Sequence, residues 1–276
     1  MGFYHSDSER RCLERGGELR GSRLLTRVSD LVQRIRAIAL VQGTRVVIQK
    51  VVVSSLAMVG VESGNDIVPY LRQEANKGYR TYIDVGAFIG DTLIPISRLF
   101  NKCIAVEPDP RNIPILQKKL KSMMNCAAVG FALSELDGLA AIYSAERADQ
   151  TSLYGQEGLL KGVQVRCTTL DAVASEFNIE YPCLIKMDVQ GNEIDVLKGG
   201  RGTIRNSCVI FSEFWPAGIR RSGHDPLELL RLVTAEGFRA FSLRGKELSA
   251  EKLRRFCLAG ERNPRIATDL MFARPR

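Results

Sequence analysis

The chain has 276 residues, a formal charge of +8 and 45% hydrophobic residues, enough for one large α/β domain, or a domain with an appendage, and a sizeable core. Residues 1–50 hold ten Arg or Lys against five Asp or Glu, so most of the excess charge sits in the first fifth, and the nearly balanced remainder argues against a basic nucleic-acid track. The seven cysteines are odd in number and no two have zinc or C-x-x-C spacing, which leaves buried thiols in a reducing compartment rather than a metal or disulfide framework.

No apolar run follows the polar N-terminus, and the patch 46–61 is too short and too interrupted for a membrane span, so a cytoplasmic protein is expected. Residues 1–22 carry little apolar content. From Leu24, the residues Leu24, Val28, Leu31, Val32, Ile35 and Ile38 recur at three and four positions, which predicts an amphipathic helix. Residues 1–65 are therefore expected to be a leader packed on a main domain spanning 66–276. A homodimer contact, a substrate lid and a membrane-surface helix are the leader's other readings.

A short helix over 66–76 leads into Thr81-Tyr-Ile-Asp-Val-Gly-Ala-Phe-Ile-Gly-Asp-Thr92. Here the spacing predicts a buried strand, a carboxylate near its end at Asp84, and a glycine loop at Gly86 and Gly90 that turns into a helix opened by Asp91 and reaching about Phe100. Phe88 stands where the second glycine of G-x-G-x-x-G would be, so a pyrophosphate is not expected. A nucleoside ligand without phosphate remains, and S-adenosylmethionine is the commonest of these. The next buried run, Cys103-Ile-Ala-Val, ends at Glu107, 23 residues after Asp84 and near the offset at which a second-strand acid meets ribose hydroxyls. Asp109-Pro110 is expected to cap a helix to about Lys121.

Residues 125–133 read as a third strand with its turn, and Asp137-Gly138 as a hairpin signal. Val163, Val165 and Cys167 alternate with polar residues, the period of a half-exposed strand. After a short helix over 170–177, Tyr181–Met187 reads as a central strand breaking at Asp188, with a glycine turn into a helix at 193–198. The strand from Cys208 repeats the design and ends in Glu213, followed by Phe214, Trp215 and Pro216, an aromatic step suited to lining a pocket. Asp225-Pro226 caps a helix to Gly237, and 238–243 and 269–273 read as the last strands.

Acids at successive strand ends, Asp84, Glu107, Asp188 and Glu213, place the site along one edge of a parallel sheet. Ile83-Asp-Val-Gly-Ala-Phe-Ile-Gly90, Ala105-Val-Glu-Pro108, Thr168-Thr-Leu-Asp171, Ile185-Lys-Met-Asp-Val-Gln-Gly191 and Val196-Leu-Lys-Gly-Gly200 resemble, as an ordered series over about 78–275, the FkbM family of S-adenosylmethionine-dependent methyltransferases. The resemblance implies a class I methyltransferase fold: a seven-stranded, mostly parallel sheet with helices on both faces. It implies cofactor contacts at Asp84, Gly86, Ala87, Phe88, Gly90, Glu107, Pro108 and Asp188, with adenine near Ala132 and Leu133. It also implies O-methylation of a small-molecule or glycan hydroxyl on a sugar, glycolipid or secondary metabolite. The family usually has Glu where this chain has Gln190, which bears on any role needing a second negative charge there.

A hydroxyl acceptor needs a base. Asp188 and Glu213 are the expected ones, and His224 is a third because only it and His5 are available. With Gln190 or Asn192, Asp188 and Glu213 could instead hold a divalent metal through oxygen. An RNA methyltransferase and a non-catalytic protein that keeps the cofactor fold are the alternatives. The strand-end Asp-Val-Gln-Gly offers the first no aromatic platform for a base, and Gln190 is the second's only support.

Overall fold

The computed structural model describes residues 67–144, 151–152 and 162–275. The amphipathic leader helix, the patch at 46–61 and His5 lie outside these.

The main sheet is organised around two strands that are buried along their whole length, β1 (Thr81–Val85) and β8 (Cys183–Met187). Both faces of such a strand are covered, so its sequence runs apolar rather than alternating. Outward on one side lie β2 (Lys102–Val106) and β3 (Cys126–Val129), and on the other β9 (Ser207–Phe214), β11 (Thr268–Ala273) and β10 (Arg239–Ser242), giving the order β10-β11-β9-β8-β1-β2-β3. The strands from β9 to β3 are parallel neighbours, while β11 runs antiparallel to both β9 and β10. After β1 the chain builds outward through β2 and β3, then returns to build outward from β8. The order thus reverses between β1 and β8, where a crevice opens beyond the strands' carboxyl ends.

On one face Tyr82, Cys103, Ala105, Leu184, Val209 and Phe211 form a core with Leu71 of α1 (Val68–Ala75), Leu116 and Leu120 of α2 (Ile113–Leu120), and Leu93, Ile96 and Phe100. Asp84 and Lys186 are register partners and share this face, since Tyr82 pairs with Leu184 two residues earlier. A smaller sheet pairs β4 (Ala132–Leu133) parallel to β7 (Val163–Thr168), then β5 (Gly138–Ser144) antiparallel to β7, then β6 (Thr151–Ser152). The remaining helices are α3 (Leu170–Glu176), α4 (Glu193–Lys198), α5 (Arg201–Asn206), α6 (Pro216–Arg221), α7 (Pro226–Ala235) and α8 (Ala250–Arg262). No described helix is long and apolar enough to cross a membrane.

Several local expectations are corrected. The segment after Asp91 is a turn and a 3-10 helix at Ile94–Leu99, with Pro95 in its first turn, rather than an Asp91-capped α-helix. Asp109 closes a turn by accepting from the Arg111 N–H at 2.8 Å, and α2 begins three residues after Pro110. Asp137-Gly138 does not join paired strands, because β7 lies between β4 and β5. The third-strand stretch divides into β3 and β4, which belong to different sheets. Helices α5, α6 and α8 were not anticipated.

Candidate active site

The crevice at the switch point holds a cavity of about 230 Å³. Its floor is the loop after β1, whose backbone is fixed by β2: the Gly86 and Ala87 N–H groups both donate to the Val106 carbonyl, at 2.9 and 3.0 Å. Gly86 has φ +77, and a Cβ there would lie 1.9 Å from the Asp188 carbonyl oxygen, so only glycine lets the tips of β1 and β8 approach this closely. Phe88 takes φ +51, rare for a residue with a side chain, and this aims its N–H at Glu107 Oε2, 2.8 Å away.

Glu107, at the end of β2, is buried and lines the cavity. Its Oε1 accepts from the Asp109 N–H at 2.9 Å and from Asn112 Nδ2 at 3.2 Å. Burial raises its pKa, against the opposing pull of the bonds from Asp109, Asn112 and Phe88. The carboxylate is thereby held rigidly while keeping acceptor capacity toward the cavity, which suits paired hydroxyls such as those of a ribose. Beyond it Val106, Phe131, Leu133 and Ile142 supply an apolar slot. Phe131 lies under the Arg166 guanidinium, and Ile142 comes from β5 of the smaller sheet. An apolar slot beside a fixed acid matches a nucleoside, so these residues fit S-adenosylmethionine.

At the other end stands Asp188, with a side chain 40% exposed. Its Oδ1 accepts from Gln190 Nε2 at 2.7 Å, and the same nitrogen lies 3.2 Å from Glu213 Oε2. Gln190 has φ +57, a second non-glycine residue in the left-handed region on a loop lining the cavity. The amide bridges the two carboxyl groups that the sequence offered as alternative ligands of a divalent metal. Among the described residues no three His, Cys, Asp or Glu side chains are grouped to hold a metal ion.

Lys186 is almost fully buried beneath this end. Its Nζ donates to the Gly86 carbonyl at 2.9 Å and lies 3.2 Å from Asp84 Oδ1 and 3.9 Å from Asp188 Oδ2. Burial alone would lower its pKa, but Asp84 and Asp188 more than offset that and leave it raised. Glu213 pairs in register with Asp269 of β11. Burial, with Asp188, Glu193 and Asp269 nearby, pushes Glu213 well above the carboxylate range, and Asp269 is raised by burial to about 6.

Of the residues singled out from sequence, Gly86, Ala87, Phe88, Glu107, Pro108, Ala132, Leu133 and Asp188 are brought together around the cavity. Four are not among its lining. Asp84 is fully buried, its Oδ2 accepting from Thr92 Oγ1 at 2.6 Å and its Oδ1 facing Lys186. The hollow expected to be shared by Asp84 and Glu107 is thus lined by Glu107 alone of the two. Gly90, with φ +88, is packed against Ile94 and Leu116. Glu213 is reached only through Gln190, and His224 sits between Asp195 Oδ1 at 2.8 Å and Glu228 Oε2 at 3.4 Å. The aromatic step also points elsewhere: Phe214 stacks on Phe256, and Trp215 donates to the Pro264 carbonyl with Arg221 over its ring.

Lys186, Asn112, Phe131 and Ile142 were missed, and Asn192, considered only as a metal ligand, also lines the cavity and donates through Nδ2 to the Leu133 carbonyl at 2.9 Å. A lysine inside the apolar run Cys-Leu-Ile-Lys-Met is itself a signal, because an unpaired lysine is rarely buried. Ile142 had none, since its place depends on how the smaller sheet folds over.

The model of the methyltransferase FkbM domain matches residues 84–240, more than half of the chain. No curated protein gives a significant match. Similar solved structures include a TehB-like SAM-dependent methyltransferase from Corynebacterium glutamicum (14% identity, 91% of this chain and 99% of that one, TM-score 0.41). Another is the N-methyltransferase NodS from Bradyrhizobium japonicum with S-adenosyl-L-homocysteine (11%, 76% and 86%, 0.40). A third is the magnesium protoporphyrin IX methyltransferase from Synechocystis with bound SAM (12%, 76% and 76%, 0.41).

Proposed function

The chain belongs to the FkbM methyltransferase family and is an S-adenosylmethionine-dependent methyltransferase; from this premise we propose that its acceptor is a hydroxyl of a sugar, glycolipid or secondary metabolite, with Asp188 as the general base. The cofactor supplies a methyl group on a sulfonium. Glu107 would take the ribose hydroxyls, and Val106, Phe131, Leu133 and Ile142 the adenine. Much of the rate then comes from holding donor and acceptor at attack distance in line.

The proton of the acceptor hydroxyl still has to leave. Asp188 is the carboxylate supported for this, because it alone of the expected bases lines the cavity, with a half-exposed side chain whose Oδ1 is oriented by Gln190. Glu213 is a poor base, since it does not line the cavity and the Gln190 amide stands between it and Asp188. His224 is engaged by two carboxylates outside the cavity. A cytoplasmic setting is part of the proposal, supported by five free cysteines among the described residues.

The observation that carries the reading is the placement of Asp188 in one cavity with the rigid Glu107. Methyl transfer from radiolabelled S-adenosylmethionine to a panel of glycosides and polyols tests it. Asp188→Asn should lower turnover by about 100-fold or more while S-adenosylhomocysteine still binds within a few-fold of the parent. Undiminished turnover would remove Asp188 as the base, and a parent protein that binds no S-adenosylhomocysteine would remove the enzyme reading itself.

A further inference from the structure

Lys186 is a buried ammonium that the mechanism above does not use. Its surroundings form a closed set of contacts on the loop at the cavity floor. At the loop's near end the Gly86 carbonyl accepts from Lys186 Nζ at 2.9 Å. In the middle the Phe88 N–H donates to Glu107 at 2.8 Å. At the far end Thr92 Oγ1 donates to Asp84 Oδ2 at 2.6 Å, and the other oxygen of Asp84 faces Lys186 at 3.2 Å. Gly86, Ala87, Phe88, Asp91 and Thr92 all line the cavity. The loop therefore has three anchors, and Lys186 takes part in two of them.

We propose that Lys186 is a positioning residue for cofactor binding: through the Gly86 carbonyl and Asp84 it holds both ends of the 86–92 loop in the shape that receives the cofactor. This rests on the cavity being the S-adenosylmethionine site. It also gives Asp84 a role without contact to ligand, as the link between Lys186 and Thr92. The physical reason is preorganisation. The loop needs φ +77 at Gly86 and φ +51 at Phe88, conformations that a free chain seldom takes together, and apparent affinity falls in proportion to the fraction of molecules holding the competent shape.

A bland alternative is that Lys186 only neutralises Asp84. Removing one member of a buried ion pair leaves the other uncompensated, so Lys186→Met alone could destabilise the fold for that reason. The double variant Asp84→Asn, Lys186→Met separates the two ideas. It leaves no fully buried orphan charge, since Asp188, 3.9 Å from the lost ammonium, keeps a side chain 40% exposed, and the amide oxygen introduced on β1 can still accept from Thr92, yet the Gly86 carbonyl has lost its donor. The measurements are calorimetric titration of the full chain with S-adenosylhomocysteine, thermal melting, and hydrogen exchange of the amides in 86–92. The double variant should melt within a few degrees of the parent, exchange faster in 86–92 but not in the core strands, and bind S-adenosylhomocysteine about tenfold more weakly or worse. A double variant that binds as tightly as the parent, with loop exchange unchanged, would overturn the proposal and leave Lys186 as a charge partner only. Failure of the parent to bind S-adenosylhomocysteine is a separate result and strikes the functional reading instead.

Discussion

Gly86→Ala has a consequence that can be separated from the ordinary cost of losing a glycine. Gly78 and Gly86 both have left-handed φ, +89 and +77, so alanine at either meets the same backbone penalty, about 1–2 kcal/mol. Around Gly78 there is nothing within 4 Å of the added Cβ, whereas at Gly86 it would lie 1.9 Å from the Asp188 carbonyl oxygen. To reach even 3.0 Å, the tips of β1 and β8 must part by about 1 Å, and overpacking of this kind adds about 1–3 kcal/mol. At about 2–4 °C per kcal/mol for a domain of this size, Gly78→Ala should lower the melting temperature by a few degrees and Gly86→Ala by roughly twice that or more. The separation falls between the loop at the cavity floor and Asp188, the proposed base, and a misplacement of about 1 Å there can cost about 100-fold in turnover. Melting scans of both variants, with calorimetry against S-adenosylhomocysteine, check the reasoning. If the two variants melt together and bind alike, the close approach of Gly86 to Asp188 does not shape the site.

Glu107→Gln replaces one of two accepting oxygens with a donor that faces backbone N–H groups. Cofactor affinity should fall by about 1.5–3 kcal/mol in calorimetry, and an unchanged affinity would remove Glu107 from the ribose site. Gln190→Glu puts a third carboxylate between Asp188 and Glu213; it should lower the urea midpoint by the equivalent of about 2–4 kcal/mol, and an unmoved midpoint would mean that the amide does not bridge them. Burial lifts Glu193 from 4.5 to about 7 in the folded chain. The native state therefore binds the extra proton between those values, and the stability from this group is complete below the lower one and lost as pH rises through the upper. The loss is roughly 3 kcal/mol. Glu193→Gln keeps an acceptor for the Val189 and Gly191 N–H groups, so its melting temperature should gain on the parent's from about pH 5 to about pH 8. A constant gap would count against the buried carboxyl's shift.

What could be read from sequence was set by how far each feature depends on its neighbours. β1 and β8 were legible because a strand covered on both faces is mostly apolar, with only Asp84 and Lys186 charged within them, and Asp188 and Glu107 because each is the first residue after such a run. Helix α4 was placed to the residue, since Gly191 and Gly199 bracket it. Helix α8 was legible too, though unread: Ser249 accepts from the Lys252 N–H at its start, and Leu253, Phe256, Cys257 and Gly260 form its buried stripe. Of the smaller sheet only the alternation of β7 was legible: β4 and β6 have two residues each, too few to show a period, and β4 takes its partner, β7, from more than thirty residues along the chain.

Asp84 shows where this kind of reading stops. From sequence it is equivalent to Glu107, an acid on a buried strand before a turn, and both were expected to face the ligand. What separates them is which neighbours already occupy their oxygens. Glu107 stands past the end of β2, and its three partners are backbone and amide N–H groups that leave it neighbouring the cavity. Asp84 lies inside β1, one strand away from a lysine in register, and its two oxygens are engaged by Lys186 and Thr92. With zero exposure and no place in the cavity lining, Asp84 can act on a ligand only through the loop that Thr92 and Lys186 tie it to. Asp188 and Glu213 differ in the same way: both adjoin the Gln190 amide, but only Asp188 lines the cavity. Strand-end acids therefore mark the edge of the sheet where the cavity opens, while which of them reach it depends on the lysine and the glutamine placed between them.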